Sequence, residues 1–115
     1  MNMNDYEKFA ERTMVSELGV DASDQDIILA WMVLGLNGEA GEVADLVKKA
    51  VFHEHGLNKD KLCEEIGDVL WYAAAICKTI GISLADAMEY NINKLNKRYP
   101  AGFSSDASRS RGERE

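Results

Sequence analysis

Apolar side chains recur every three or four residues along most of the chain, with polar and charged side chains between them. This spacing places the apolar side chains on one face of a helix, so it predicts helices rather than strands. It is clearest in the last third of the chain, in a predicted buried stripe formed by Leu84, Met88, Ile92, Leu95 and Tyr99. The pattern predicts an all-α bundle of four to five helices.

Residues typical of helix ends divide the chain into four main predicted helices. Their predicted N-caps are Asn4, Ser23, Asn58 and Ser83, and the predicted stops are Gly56, Gly81 and Pro100. The first helix is expected to continue to about Ser16, the second to His55 and the third from Lys59 to Thr79. The fourth is expected to end just before Pro100.

Three glycines lie inside the second predicted helix, at Gly35, Gly38 and Gly41. Each costs up to about 1 kcal/mol in a helix interior. Two interpretations fit this pattern. Either the helix breaks near Asn37, or the absence of side chains lets another helix approach closely.

The third predicted helix is apolar nearly all the way round. Residues 66–77 read IGDVLWYAAAIC, with one charged side chain among twelve residues. A helix that is apolar on every side has to be covered on every side, and a four-helix chain this short can hardly surround one of its own helices. We therefore expect a homo-oligomer, a dimer or a tetramer built as a dimer of dimers.

Composition and charge exclude several classes of protein. The 115 residues predict one domain over 1–103 and a polar C-terminal tail over 104–115. A net charge of -7 argues against nucleic-acid binding, which depends on a basic face. The sequence contains no uninterrupted apolar stretch of about 18 residues, so it predicts no membrane span. The N-terminal residues do not resemble a signal peptide. The expected location is the cytoplasm.

Two pairs of carboxylates stand in apolar surroundings. Glu65 and Asp68 lie three residues apart on the third helix, and Glu39 and Glu42 repeat this spacing on the second. Residues three apart share a helix face, so two packed helices would bring the four acids together. Such a group needs a counter-charge, and an all-oxygen ligand set favours Mg²⁺, with Mn²⁺ possible. Mg²⁺ bound in this way usually contacts substrate phosphates.

The alternative interpretation is that these acids are surface residues in ion pairs with lysines. The lysines at the required spacing are Lys48, Lys49 and Lys61. One E-x-x-E pattern would favour this alternative, because such pairs are common on exposed helices. Two such pairs in apolar contexts, 22 residues apart, favour a metal site.

These motifs resemble a known family. The segments GLNGEAGEVADLVKKA, KLCEEIGDVLWYAAAI and NINKLNKRYPAGF are similar to the MazG-like all-α nucleoside triphosphate pyrophosphohydrolases. That family is marked by E-x-x-E, a spacer and E-x-x-D, matched here by Glu39, Glu42, Glu65 and Asp68. The similarity covers roughly residues 27–111 and includes Ser108 and Arg111 in the tail.

The resemblance implies hydrolysis of a nucleoside triphosphate to the monophosphate and pyrophosphate, with Mg²⁺ held by the four acids. It also implies dimers or tetramers in which partner helices complete the site. One glutamate, Glu39 or Glu42, would orient or deprotonate the attacking water. The resemblance places Asn91 and Lys94 near the substrate.

Further residues are candidates for substrate binding by their position. Lys61 lies one turn before Glu65 and could reach the phosphates, and Arg98 continues the polar face that carries Asn91 and Lys94. Trp31 lies about 12 Å along the helix from Glu39, a distance that suits stacking on a base. Surface charge is the alternative for Lys61 and Arg98, and a core position is the alternative for Trp31.

The predicted function is a Mg²⁺-dependent nucleotide pyrophosphohydrolase acting on NTPs or dNTPs, in a nucleotide-pool cleansing role. Other substrates on the same scaffold remain open, namely phosphoribosyl-ATP, dUTP or dUDP, and an alarmone. A non-catalytic, metal-dependent nucleotide sensor is the alternative of a different class. The sequence contains no G-x-x-x-x-G-K-[ST] phosphate loop, and no histidine follows a glutamate by three residues as a di-iron bundle would require.

Overall fold

The computed structural model describes residues 1–14 and 24–109. Within them the protein is all-α, as predicted. The five helices are α1 (Met3–Glu11), α2 (Gln25–Phe52), α3 (Lys59–Thr79), α4 (Leu84–Arg98) and α5 (Ser105–Arg109). The chain forms two compact units, Met1–Leu84 and Ala85–Glu115.

A hairpin of the two longest helices, α2 and α3, dominates the first unit. Six residues connect the helices, so they run antiparallel. α2 is continuous over 28 residues, which decides against a break near Asn37. A Cβ added at Gly35 would lie 2.8 Å from Tyr72 Cδ1 and still closer to Cε1 and Cζ of the ring, whereas Gly38 and Gly41 have nothing within 4 Å. Only Gly35 thus serves the predicted close approach of another helix.

The predicted ends of α3 are confirmed, and several other predicted helix ends are wrong. Asn58 Oδ1 accepts a hydrogen bond from Lys61 N at 3.0 Å, and Gly81 adopts a φ of 79° after α3. The N-cap of α1 is Asn2 rather than Asn4, because it is Asn2 Oδ1 that accepts from Asp5 N, at 2.9 Å. This helix ends at Glu11, well before Ser16, which lies outside the described residues together with the predicted cap Ser23.

The C-terminus of α2 also differs from the prediction. The helix ends at Phe52 rather than His55, and the left-handed residue is Glu54, with a φ of 56°, rather than Gly56. The backbone N–H groups of His53 and His55 both bond to Lys49 O, at 3.1 and 3.2 Å. These hydrogen bonds hold Glu54 in a conformation that favours glycine.

Side-chain contacts attach α1 to α3 and to the start of α4. Trp71 Nε1 donates to Thr13 Oγ1 at 2.8 Å, and the Tyr6 hydroxyl donates to Gly67 O at 3.4 Å. The Glu7 carboxylate accepts from Leu84 N at 2.9 Å and so caps the N-terminus of α4. This tertiary cap is additional to the local sequence signal at Ser83.

The second unit contains the rest of α4 and the short helix α5. Ser104 Oγ accepts from Ala107 N at 3.0 Å, and Ala107 is buried. Part of the predicted polar tail is therefore helical. The boundary between residues 103 and 104 stays a prediction, and Arg111 lies outside the described residues.

Much apolar surface on the helices is exposed. Of the predicted buried stripe on α4, only Leu84 is fully buried, while Met88, Ile92 and Leu95 are exposed. The prediction that this stripe is buried is therefore wrong for the described residues of a single chain. Amphipathic spacing indicates which face of a helix will be covered, but it does not indicate which part of the protein covers it. By length and composition α2 could also cross a membrane, although core helices of soluble proteins and signal sequences pass the same test; 6% of this apolar stretch is buried.

Candidate metal site

An acidic cluster forms where α2 and α3 face each other. One carboxylate oxygen from each of Glu39, Glu65 and Asp68 lies within 4.8 Å of the other two. The helix register explains this arrangement. Gly35 meets Tyr72, and four residues further along α2 and four residues back along α3 are Glu39 and Asp68. The contact permitted by Gly35 therefore sits one helical turn from the cluster on both helices.

The fourth predicted acid, Glu42, lies beside the cluster rather than within it. Its side chain is exposed, and it does not belong to the group of three within 4.8 Å. Its negative charge nevertheless acts on the cluster, since it is one of the charges that raise the pKa of Glu39. The structure thus brings together three of the four acids and leaves Glu42 at the solvent side.

The pKa values of Glu39 and Glu65 are shifted in opposite directions. Burial raises the pKa of Glu39, with further contributions from its hydrogen bond to Glu65 and from the charge of Asp68. The pKa of Glu65 is lowered, chiefly by its hydrogen bond with Lys61, although burial opposes this effect. In the metal-free protein the shifted pKa values therefore favour the protonated form of Glu39 and the ionised form of Glu65.

Lys61 contacts the cluster directly. Its Nζ lies 3.1 Å from Glu65 Oε1 and 3.7 Å from Glu64 Oε2. The predicted position of Lys61 near the acids is confirmed. The contact is also an i, i+4 ion pair with Glu65, which is the alternative interpretation of this lysine. By contrast, Lys48 and Lys49 pair with Asp45, outside the cluster. The alternative of lysine ion pairs is therefore observed for Lys61 with Glu65, whereas Lys48 and Lys49 do not pair with the four predicted acids.

The cluster fits a hard divalent cation. All of its ligand atoms are carboxylate oxygens, which are the ligands that Mg²⁺ and Mn²⁺ prefer. Two oxygens bound to one Mg²⁺ at about 2.1 Å are at most about 4.2 Å apart, so small side-chain rotations would bring the three oxygens into range. Burial and the hydrogen bond to Glu65 are the main causes of the raised pKa of Glu39, and the charges of Asp68, Glu65 and Glu42 add to it; a bound cation would compensate these charges.

Comparison with known proteins agrees with this arrangement. Residues 29–103 match the MazG nucleotide pyrophosphohydrolase domain, and this match includes all four acids. The chain belongs to the MazG family. It is also 39% identical over 87 residues to the Gene 37 protein of Mycobacterium phage L5, covering 70% of this chain and 76% of that protein. No solved structure matches the chain.

Membership of the MazG family supports a pyrophosphohydrolase-type enzyme and agrees with the all-α fold. The matched segment begins inside α2 and ends after α4, so it leaves α1 outside. The contacts of α1 with α3 are therefore features of this chain that the family comparison does not describe.

The other predicted substrate-binding residues are exposed or half-buried. Trp31 on α2 exposes 44% of its surface in the single chain. Asn91 and Lys94 are exposed on α4, and Arg98 is half-buried at its end. Asn91 also lines an open concave patch of the second unit together with Ala87, Met88 and Ile92. The roles of these residues stay predictions.

Sequence reasoning missed one residue at the cluster, Tyr6. Its hydroxyl bonds to Gly67 O, next to Asp68, and its pKa is raised by burial and then by the charge of Asp68. The spacing of Tyr6 and Ala10 on one face of α1 indicates an amphipathic helix. That spacing does not identify the surface on α3 that the helix covers.

Proposed function

We propose that this MazG-family protein is a Mg²⁺-dependent enzyme that hydrolyses nucleoside triphosphates, NTPs or dNTPs, to the monophosphate and pyrophosphate. The observation that carries the proposal is the convergence of Glu39, Glu65 and Asp68 within 4.8 Å on two helices of a matched pyrophosphohydrolase domain. Clearing unwanted nucleotides from the cytoplasmic pool is the role that fits this reaction.

The four acids have two tasks in this proposal. Glu39, Glu65 and Asp68 would hold the cation, which would supply positive charge against the phosphates and polarise the phosphorus. We assign to Glu42 the task of orienting the attacking water and accepting its proton, and its exposed position beside the cluster supports this assignment. The water oxygen forms the new bond to phosphorus as the phosphoanhydride bond breaks.

Binding of the nucleotide needs groups beyond the cluster. Lys61 supplies positive charge at the edge of the acids, and the exposed indole of Trp31 offers a stacking surface for a base. We also assign phosphate or sugar contacts to Asn91, Lys94 and Arg98, on the strength of the resemblance of α4 to the family motif. Mn²⁺ is expected to replace Mg²⁺, because both prefer oxygen ligands.

The test is pyrophosphate release from a panel of NTPs and dNTPs, with Mg²⁺ and with EDTA. The informative variant is Asp68→Asn, which removes one charge from the cluster. Asp45→Asn is the matched control, because Asp45 is also an acid in this hairpin but pairs with Lys48 and Lys49 away from the cluster. We expect Mg²⁺-dependent release that falls at least 100-fold in Asp68→Asn, the scale of losing an essential electrostatic group, and persists in Asp45→Asn.

The same panel separates the alternatives. The panel should include phosphoribosyl-ATP, dUTP, dUDP and a guanosine tetraphosphate. The compound that is hydrolysed fastest identifies the substrate preference. Binding of nucleotides without turnover of any of them would contradict the enzyme proposal and indicate a sensor. Turnover that is unchanged in EDTA would contradict the proposed metal.

We further propose that the protein works as a homo-oligomer. Ile66 and Leu70 lie one turn apart on α3 and are 52% and 42% exposed, although this helix is apolar nearly all round. Leu34 on α2 is 72% exposed. Exposed apolar side chains on both helices of the hairpin are typical of an interface between subunits. Light scattering should give a dimer or tetramer for the wild type and a smaller species for Leu70→Glu; a wild-type monomer would contradict the proposal.

A further inference from the structure

The acidic cluster holds a side-chain cation of its own. Lys61 Nζ lies 3.1 Å from Glu65 Oε1, and Glu65 exposes only 8% of its surface, the least of any charged residue among those that the structure describes. A buried carboxylate that stays ionised needs a positive partner. Lys61 is that partner, so the ammonium performs in the metal-free protein the neutralisation that a divalent cation would perform at the same carboxylate.

Local helix preferences do not account for a lysine at this position. Lys61 is the third residue of α3, and its backbone N–H is bonded to the cap Asn58. Positive side chains are unfavourable in the first turn of a helix, where the backbone dipole already presents positive charge. The contact with Glu65 compensates for this local disadvantage.

The ammonium is able to leave Glu65. The Lys61 side chain is about half exposed, and a lysine is a compact charge on a flexible four-carbon stem. A divalent cation bound to Glu65 would stand within a few ångströms of the ammonium and repel it. A cation that neutralised the carboxylates would weaken the attraction between Lys61 and Glu65. The phosphates of a bound nucleotide would then be the negative groups that attract Lys61.

We propose that Lys61 is the exchangeable counter-ion of this site: it neutralises Glu65 before the divalent cation binds, and afterwards it contacts the phosphates of the substrate. This inference rests on the proposed function. It predicts effects of opposite sign on two affinities, whereas a purely structural ion pair would weaken both or change neither.

The test uses the full chain and two binding titrations by calorimetry. The variants are Lys61→Met, which removes the charge but keeps the length, and Lys61→Arg, which keeps the charge. Lys78→Met is the matched control, because Lys78 lies on the same helix and pairs with Glu11 at 3.6 Å, away from the cluster. Circular dichroism verifies that each variant is folded.

The first titration adds Mg²⁺ or Mn²⁺ to metal-free protein. Lys61→Met should bind the cation about three- to tenfold more tightly than the wild type, with Lys61→Arg and Lys78→Met close to the wild type. The second adds magnesium pyrophosphate in excess Mg²⁺. There Lys61→Met should bind about tenfold more weakly or worse, a difference of at least about 1.4 kcal/mol, and Lys61→Arg should restore binding.

Two results would overturn the inference while leaving the proposed function intact. Cation binding that is unchanged or weaker in Lys61→Met would show that the ammonium does not compete with the metal. Pyrophosphate binding that is unchanged would show that Lys61 does not move to the phosphates. If instead the wild type binds no cation, or Asp68→Asn binds it equally well, the metal site itself fails and both proposals fall.

Discussion

The packing of α2 against α3 at Gly35 gives the sharpest quantitative prediction. A Cβ at this position would lie 2.8 Å from Tyr72 Cδ1 and closer to two further ring carbons, whereas carbon atoms in proper contact are about 3.5–4.0 Å apart. Gly35→Ala therefore forces the ring or the helix to move by about 1 Å or more. Overpacking of this kind typically costs about 1–3 kcal/mol.

Helix propensity acts in the opposite direction. Replacing a glycine by alanine inside a helix gains up to about 1 kcal/mol when the new methyl group meets nothing. Gly38→Ala and Gly41→Ala should show this gain, because both positions are open. For Gly35→Ala we expect a net loss of up to about 2 kcal/mol, which is a difference of about 1–3 kcal/mol from the controls.

Urea unfolding of the metal-free protein measures this difference, at one protein concentration because oligomers unfold in a concentration-dependent way. With a denaturant dependence of about 1–3 kcal/mol per molar urea, a loss of 1 kcal/mol lowers the midpoint by about 0.3–1 M. In a Tyr72→Ala background the effect of Gly35→Ala should reverse and become stabilising, because the ring is gone. If Gly35→Ala stabilises the wild type as much as Gly38→Ala does, the reasoning is refuted.

Three further predictions concern single residues. Burial, the hydrogen bond to Glu65 and the charge of Asp68 raise the pKa of Glu39, so its contribution to stability is present below the ordinary value of 4.5 and is lost as pH rises through the raised value. Glu39→Gln should abolish turnover, and it should also remove this pH-dependent loss of stability. Urea midpoints of the metal-free protein, measured across this pH range, test the stability effect. A pH profile of the midpoint that is unchanged in the variant would contradict the prediction. Glu54→Gly should stabilise the protein by about 1 kcal/mol, because Glu54 has a φ of 56°, and a lower urea midpoint would show that the strain is absent. Glu7→Ala should cost about 0.5–2 kcal/mol through loss of the cap on α4, measured in the same way, with Lys8→Ala as an exposed control on α1.

The pairing of acids shows how far sequence reasoning extends. Spacing alone places Glu39 with Glu42 and Glu65 with Asp68, because residues three apart share a helix face. The separation of these pairs between two neighbouring helices predicts one site. Spacing does not determine the register between the helices, which depends on side-chain contact at Gly35 and Tyr72. That register brings Glu39, Glu65 and Asp68 together and leaves Glu42 at the side.

The ends of helices divide in a similar way. Asn58 and Gly81 act through their own backbone neighbours, and both predictions are confirmed. The cap of α4 by Glu7 joins residues 77 positions apart, and nothing in the local sequence of either residue indicates it. After α2 the sequence predicted Gly56 as the left-handed residue. The hydrogen bonds from the backbone N–H groups of His53 and His55 to Lys49 O instead hold Glu54 in that conformation.

The sequence by itself determined the all-α class, the two acid pairs and membership of the MazG family, because these follow from periodicity and from motifs within single helices. Tertiary structure alone decided which acids meet and where α1 lies. These depend on distances between segments far apart in the chain, set by packing and by the charge that each contact brings into a partly buried space.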